Sequence, residues 1–170
     1  EDSQRSHLEN FKEALDAPGE WFLDRDGTLT YLPLPGQSIE TAEVVAPVVT
    51  EFVHFAGSAA DKKYVHDITL KNLSFEYGQY NLPAKGQGDG QAVISMPGMI
   101  NLDGARDISI ENCENAHVAA AGVWFRSGCQ NCRLTHSYFH DLGCGAVRIG
   151  EMKVPGELTA TSHINVDNNI

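Results

Sequence analysis

The sequence predicts an all-β chain: a right-handed, single-stranded parallel β-helix, a solenoid, entered through a short N-terminal helix and a β-hairpin. Three observations carry that expectation. A short strand pattern recurs four times, each copy closing on Asn or His. Each recurrence is followed by a second apolar strand bounded by Gly, and beyond Glu43 no window is long enough for a second helix.

The copies begin at His66, Arg106, Gln130 and Ser162, the second and third spaced by 24 residues. In that register Ile68, Ile108, Cys132 and Ile164 share a column, and Leu70, Ile110, Leu134 and Val166 share another two positions on. Residues two apart on a strand point to the same face, so both columns are expected inside. Asn72, Asn112, His136 and Asn168 form a third column, where stacked amides are expected to hydrogen-bond along the axis. A spacing in the twenties also suits leucine-rich repeats, but their L-x-x-L-x-L-x-x-N pattern is missing.

The second strands are expected at residues 98–104, 122–128 and 145–151. Alternation sorts Ile100, Leu102, Val123, Phe125, Val147 and Ile149 to the inside, and Asn101, Asp103, Trp124, Arg126 and Arg148 to the outside. Residues 79–93 and 152–161 interrupt the coils, and such insertions tend to gather on the binding face.

Upstream, Ser6-His7-Leu8-Glu9 reads as a capping box, with Leu8, Phe11 and Leu15 on one helical face and Pro18-Gly19 as the stop. Trp21 to Tyr31 is split by Asp26-Gly27, a strong hairpin signal, and Pro33, Pro35 and Gly36 end it. The expected division is therefore residues 1–36 for helix and hairpin and 37–170 for the coils. The stop inside a repeat strand at Asn169-Ile170 suggests that further coils follow.

Twelve basic residues stand against 23 acidic ones, a net charge of -11, which disfavours nucleic acid and anionic lipid as partners. No apolar run reaches the roughly 20 residues of a membrane-spanning helix, and the start at Glu1 lacks the basic flank and apolar stretch of a signal peptide. Four cysteines, Cys113, Cys129, Cys132 and Cys144, include one C-x-x-C unit where a four-cysteine zinc site needs two, so Cys113 and Cys132 are read as core residues and no metal or other cofactor is expected.

Two motifs carry a resemblance. Leu15-Asp16-Ala17-Pro18-Gly19-Glu20-Trp21-Phe22-Leu23-Asp24 with Gly27-Thr28-Leu29-Thr30-Tyr31-Leu32-Pro33, and Asp141-Leu142-Gly143-Cys144-Gly145-Ala146-Val147-Arg148-Ile149-Gly150, are similar to signatures of glycoside hydrolase family 141 and its β-helical relatives. The family's members include an α-L-fucosidase acting on pectin and a xylanase. The resemblance implies an exported, secreted or periplasmic bacterial enzyme that hydrolyses plant cell-wall polysaccharide. The chain departs from the family's pattern where Glu76-Tyr77-Gly78-Gln79-Tyr80 stands in place of a His-x-x-Trp.

Glycoside hydrolysis needs two carboxyl groups flanking the bond, about 5 to 5.5 Å apart for retention and roughly 6.5 to 9.5 Å for inversion. Asp141 paired with Asp103 or Glu151 is the expected catalytic couple, with Arg126 and Arg148 nearby to differentiate their protonation. Trp124 offers a plane for a sugar ring beside Arg126, Arg148 and Asn101, while His117 and His140 stand ready to bind hydroxyls or relay protons. Asp89, in Gly88-Asp89-Gly90, is placed to reach over the site from its insertion. The plainer reading makes these acids turn and loop-edge charges. Two further functions stay open, a calcium-dependent polysaccharide lyase with Arg148 as base, and a glycan-binding or structural scaffold without catalysis.

Overall fold

The computed structural model describes residues 11–88 and 91–170, and the chain divides into two units, Glu1–Val45 and Ala46–Ile170. The expected capping box at residues 6–9 lies outside the described residues. In the described part of the expected helix Lys12–Ala14 form a 3-10 turn, and Phe11 is 42% exposed. After it the Glu20 carboxylate accepts the N–H groups of Asp16 and Ala17 at 2.8 and 3.0 Å, which holds the chain in the turn at Pro18-Gly19.

In this first unit β1 (Trp21–Leu23) and β2 (Leu29–Tyr31) pair antiparallel, with Trp21 opposite Tyr31. Asp26-Gly27 makes the reversal as the sequence predicts. Gly27 adopts a φ of 88°, and Asp26 accepts the N–H of Thr28 at 2.8 Å.

The second unit is built almost wholly of short strands in parallel sheets, none of which closes into a barrel. In chain order they are β3 (Val53–Ala56), β4 (Val65–His66), β5 (Thr69–Lys71), β6 (Ser74–Gly78), β7 (Gly98–Asp103), β8 (Ala105–Arg106), β9 (Ser109–Glu111), β10 (Glu114–Val118), β11 (Ala121–Phe125), β12 (Arg133–Thr135), β13 (Tyr138–Leu142), β14 (Val147–Ile149) and β15 (Asn165–Asp167). One sheet runs β3-β7-β11-β14, a second β5-β9-β12-β15, a third β6-β10-β13, and β4 pairs with β8. Each passage of the chain thus lays a strand beside the equivalent strand of the previous passage.

The register is the one the repeat predicts. Leu70, Ile110, Leu134 and Val166 are successive partners across β5, β9, β12 and β15. Ile100, Leu102, Val123 and Phe125 are at most 1% exposed, as are Ile108, Ile110, Cys132 and Leu134. Burial fades toward the outer strands: Ile68 is 39% exposed, and Ile149, expected inside, is 52% exposed because β14 is the edge of its sheet. Asn101 corrects the alternation in the other sense. Although it points away from the core, it is only 5% exposed, because its amide is held between Glu51 Oε1 at 2.6 Å and the Gly98 carbonyl at 2.7 Å.

The bends have a conformational origin that the Asn column only hints at. Asn72, Asn112, His136 and Asn168 all have φ between 49° and 57°, and so do Asp67, Asp107, Asn131 and His163, between 54° and 57°. Asn and Asp tolerate the left-handed region better than other non-glycine residues, so they recur where the chain must turn. The expected amide ladder has one rung, Asn112 Nδ2 donating to Asn72 Oδ1 at 2.7 Å, and His136 interrupts it. All four cysteines are free thiols. Cys113, Cys129 and Cys132 are buried, each directing Sγ at backbone carbonyls, and burial pushes the Cys129 thiol up to about 12.

Candidate functional site

The sheet β3-β7-β11-β14 presents an outward row in register: His54, Asn101, Trp124 and Arg148. Two residues on, Asp103 ends β7 and Arg126 directly follows β11. There the Arg126 guanidinium joins two carboxylates, donating from Nη1 to Asp103 at 3.1 Å and from Nε to Glu151 at 3.2 Å. Asp103 also meets His54 Nε2 at 2.9 Å, while His54 Nδ1 faces Glu51 at 3.9 Å. None of these side chains is fully withdrawn: Asp103 keeps 21% of its exposure, Glu151 32% and Arg126 34%.

Two clefts open beside this bridge. One, of about 240 Å³, is lined by His54, Asp103, Gly104, Ser127 and Thr159 among others. The other, of about 350 Å³, takes Glu151 and Ser127 on one side and Met152, Lys153 and Thr159 from the following segment. Ser127 and Thr159 belong to both, so Asp103 and Glu151 stand at neighbouring mouths with Arg126 between them. The interruption after β14 lies over this part of the sheet.

Trp124 does not offer a bare plane. The guanidinium carbons of Arg148 and Arg126 lie 3.8 and 4.6 Å from its ring, and its indole N–H donates to the Gly150 carbonyl at 2.8 Å. Arg148 is further held by the Met96 carbonyl at 3.2 Å. Asn101, expected to face a ligand, is buried and donates to Glu51.

Asp141, His117 and His140 fall elsewhere. They sit on β10 and β13 of the third sheet, and among the described residues no hydrogen bond or ion pair joins them to Asp103 or Glu151. The expected pairing of Asp141 with those acids therefore has no direct contact behind it among the described residues. Asp141 lies in β13, whereas Glu151 follows β14 of another sheet after the bend between the two strands. Asp89 lies outside the described residues.

The second group forms its own network. His140 meets Asp141 Oδ2 through Nδ1 at 2.9 Å and Glu114 Oε1 through Nε2 at 3.2 Å. His117 Nδ1 stands 3.5 Å from the same Asp141 oxygen, and Ser74 donates to the other oxygen of Glu114 at 2.8 Å. Carboxylates only accept, so both ring nitrogens of His140 favour a proton and its pKa is raised, by the bonds to Asp141 and then Glu114. In return the Ser74 and His140 bonds lower Glu114, and the His140 bond lowers Asp141.

His54, Glu51, Glu114 and Ser74 are the contributors the sequence reading misses. The alternation of Val53-His54-Phe55-Ala56 signals a strand with His54 outward, although no repeat copy covers it. Ser74, Glu114 and Tyr138 hold equivalent places two residues past the bend column, so carrying the repeat alignment further would group them. No protein-family model, curated protein or solved structure matches this chain, so its function is argued from this geometry.

Proposed function

We propose that the second unit is a right-handed parallel β-helix related to glycoside hydrolase family 141, and that it hydrolyses glycosidic bonds in plant cell-wall or similar polysaccharide. For the fold, the parallel in-register sheets support stacked coils, and right-handed crossover is the rule for parallel connections. The observation that carries the function is the Asp103–Arg126–Glu151 bridge at the mouths of two adjoining clefts.

Asp103 ends β7 and Glu151 follows β14, a strand two spacings from β7 or about 9.6 Å of backbone, and both side chains lean toward one guanidinium. That favours the roughly 6.5 to 9.5 Å separation of an inverting pair, which leaves room for the attacking water. Asp103, fixed by His54 and Arg126 together, takes the role of base orienting that water. Glu151, with a single partner and the larger cleft beside it, takes the role of acid to the leaving oxygen. Arg148, stacked on Trp124, supplies a hydrogen-bonding face for sugar hydroxyls. In this reading the protein is exported and its partner is a polysaccharide.

A lyase acting on an acidic glycan is the second reading. It is favoured by Arg148, for which no carboxylate partner occurs among the described residues.

The test is release of reducing sugar from a panel of plant glycans by the wild-type chain and by Asp103→Asn and Glu151→Gln. Loss of about 100-fold or more in each variant, with unchanged circular dichroism and no effect of a chelator, is expected for acid and base groups. Equal turnover by the wild type and both variants would overturn the assignment. An unsaturated product requiring calcium would transfer it to the lyase reading.

A further inference from the structure

We propose that His117, His140 and Asp141 form a binding site for a divalent transition metal of the zinc class, independent of any glycan chemistry at the Arg126 bridge. The ligand atoms of these three side chains all lie within 4.8 Å of one another. Consecutive strand residues ordinarily point to opposite faces, which would separate His140 from Asp141. Here the backbone turns left-handed at Asp141 (φ 50°) and at its neighbour across the ladder, His117 (φ 52°), and this brings both histidines and the carboxylate to one face.

The spacing suits a metal. Ligands about 2.0 to 2.1 Å from a tetrahedral ion stand roughly 3.3 Å from one another. Asp141 Oδ2 is 2.9 Å from His140 Nδ1 and 3.5 Å from His117 Nδ1, on either side of that value, so an ion fits with small side-chain adjustments. The ion would take the place of the Nδ1 proton on His140. Two imidazole nitrogens and one carboxylate oxygen select zinc, cobalt or their neighbours over calcium and magnesium, which take oxygen ligands.

Both rings are also held from behind. His140 gives Nε2 to Glu114 at 3.2 Å, and Ser74 donates to Glu114 at 2.8 Å, so the ring is turned with Nδ1 toward the site. This is the carboxylate–histidine arrangement that orients metal-bound imidazoles. His117 stacks on Tyr77, with centroids 5.3 Å apart and planes 13° from parallel. With His117 43% and Asp141 65% exposed, the remaining coordination positions face solvent, which leaves room for water or a substrate oxygen.

The experiment is titration of the metal-free chain with cobalt(II), followed by displacement with zinc and measurement of zinc stoichiometry by calorimetry. Expected are one ion per chain, the visible absorption of cobalt in a four- or five-coordinate site, and no displacement by excess calcium. Asp141→Asn and His140→Ala should weaken zinc binding at least 100-fold, and Glu114→Gln by about 10- to 100-fold. His66→Ala serves as the control, because His66 faces Asp67 at 2.6 Å with no second histidine in its ion pairs, and should bind as the wild type does. Absence of stoichiometric binding would overturn the proposal, as would binding by the His117→Ala/His140→Ala double variant equal to that of the wild type. Circular dichroism of each variant separates a lost site from a lost fold.

Discussion

Truncating one leucine column at two depths measures how the stack is held together. Leu134 is 0% exposed, with Ile110 on one side and Val166 on the other, while Leu70 occupies the same column on the outer strand β5 and is only partly buried. Leu→Ala removes three carbons' worth of apolar burial, about 2.4 kcal/mol at 0.8 kcal/mol each. Leu134 shares one fully buried cluster with Ile110, Val123 and Phe125, so the void collapses only partly and the cost rises to about 4 kcal/mol. At Leu70 one side is free to relax and part of the side chain is already solvated, which leaves about 1 to 2 kcal/mol. For a chain of this size these costs correspond to thermal midpoints lowered by roughly 12 °C and 5 °C. Calorimetry and urea titration of Leu134→Ala and Leu70→Ala read both directly. If Leu70→Ala costs as much as Leu134→Ala, the inward register or the burial gradient along the column is wrong.

Three further outcomes follow from the same packing. Glu111 links three strands, accepting from Ser109 and pairing with Lys71 and Arg133, and these partners hold its pKa below 4.5. A depressed carboxylate stabilises the fold above its unfolded pKa and loses that contribution as pH falls through the folded value; stability should therefore drop more steeply below about pH 4.5 in the wild type than in Glu111→Gln, and parallel urea midpoints across that range would refute the link. Gly122→Ala would set a Cβ 2.5 Å from the Ala146 carbonyl oxygen and 3.0 Å from the Phe139 ring, so a loss of about 2 to 4 kcal/mol is expected on urea unfolding, and a neutral variant would show that β11 and β14 lie farther apart. At pH 8 in the folded state Cys144, the one cysteine that is not buried, should alkylate first, whereas Cys129, with its thiol pushed up to about 12, should stay unmodified by mass spectrometry until denaturant is added.

What could be read beforehand was whatever repeats. The aliphatic columns are legible because each passage of the chain must offer the same apolar pair to the passage beside it, and Asp26-Gly27 is legible because few other dipeptides make so tight a reversal. The site was harder for the opposite reason. Asp103 and Glu151 read as acids at strand ends and Asp141 as an acid at the bend entering the last strand, and alternation says only that a side chain points out, without saying from which sheet. The bend after Leu142 decides that, and Asp141 falls in a different sheet from Asp103. Asn101 was misread because its cover, Glu51, comes from a stretch no repeat copy includes. Past Ala14 the chain leaves the helical path because a single side chain, Glu20, accepts the backbone N–H groups of Asp16 and Ala17.

The left-handed positions tie these observations together. Two of the three columns with positive φ are filled with Asp, Asn or His at the bends, where a short polar side chain lessens the cost. The third consists of Tyr77, His117 and Asp141 at φ of 60°, 52° and 50°, and it lies within strands rather than at their ends. A tyrosine lacks the short polar side chain that lessens the cost of that conformation, and the strand pairing skips these three residues. What the column does achieve is a break in side-chain alternation at the same place in three adjacent strands. That break gathers His117, His140 and Asp141 on one face and sets Tyr77 against the His117 ring. Observed strain of this kind argues from geometry toward a use, and the use that matches these donors is the one proposed for them.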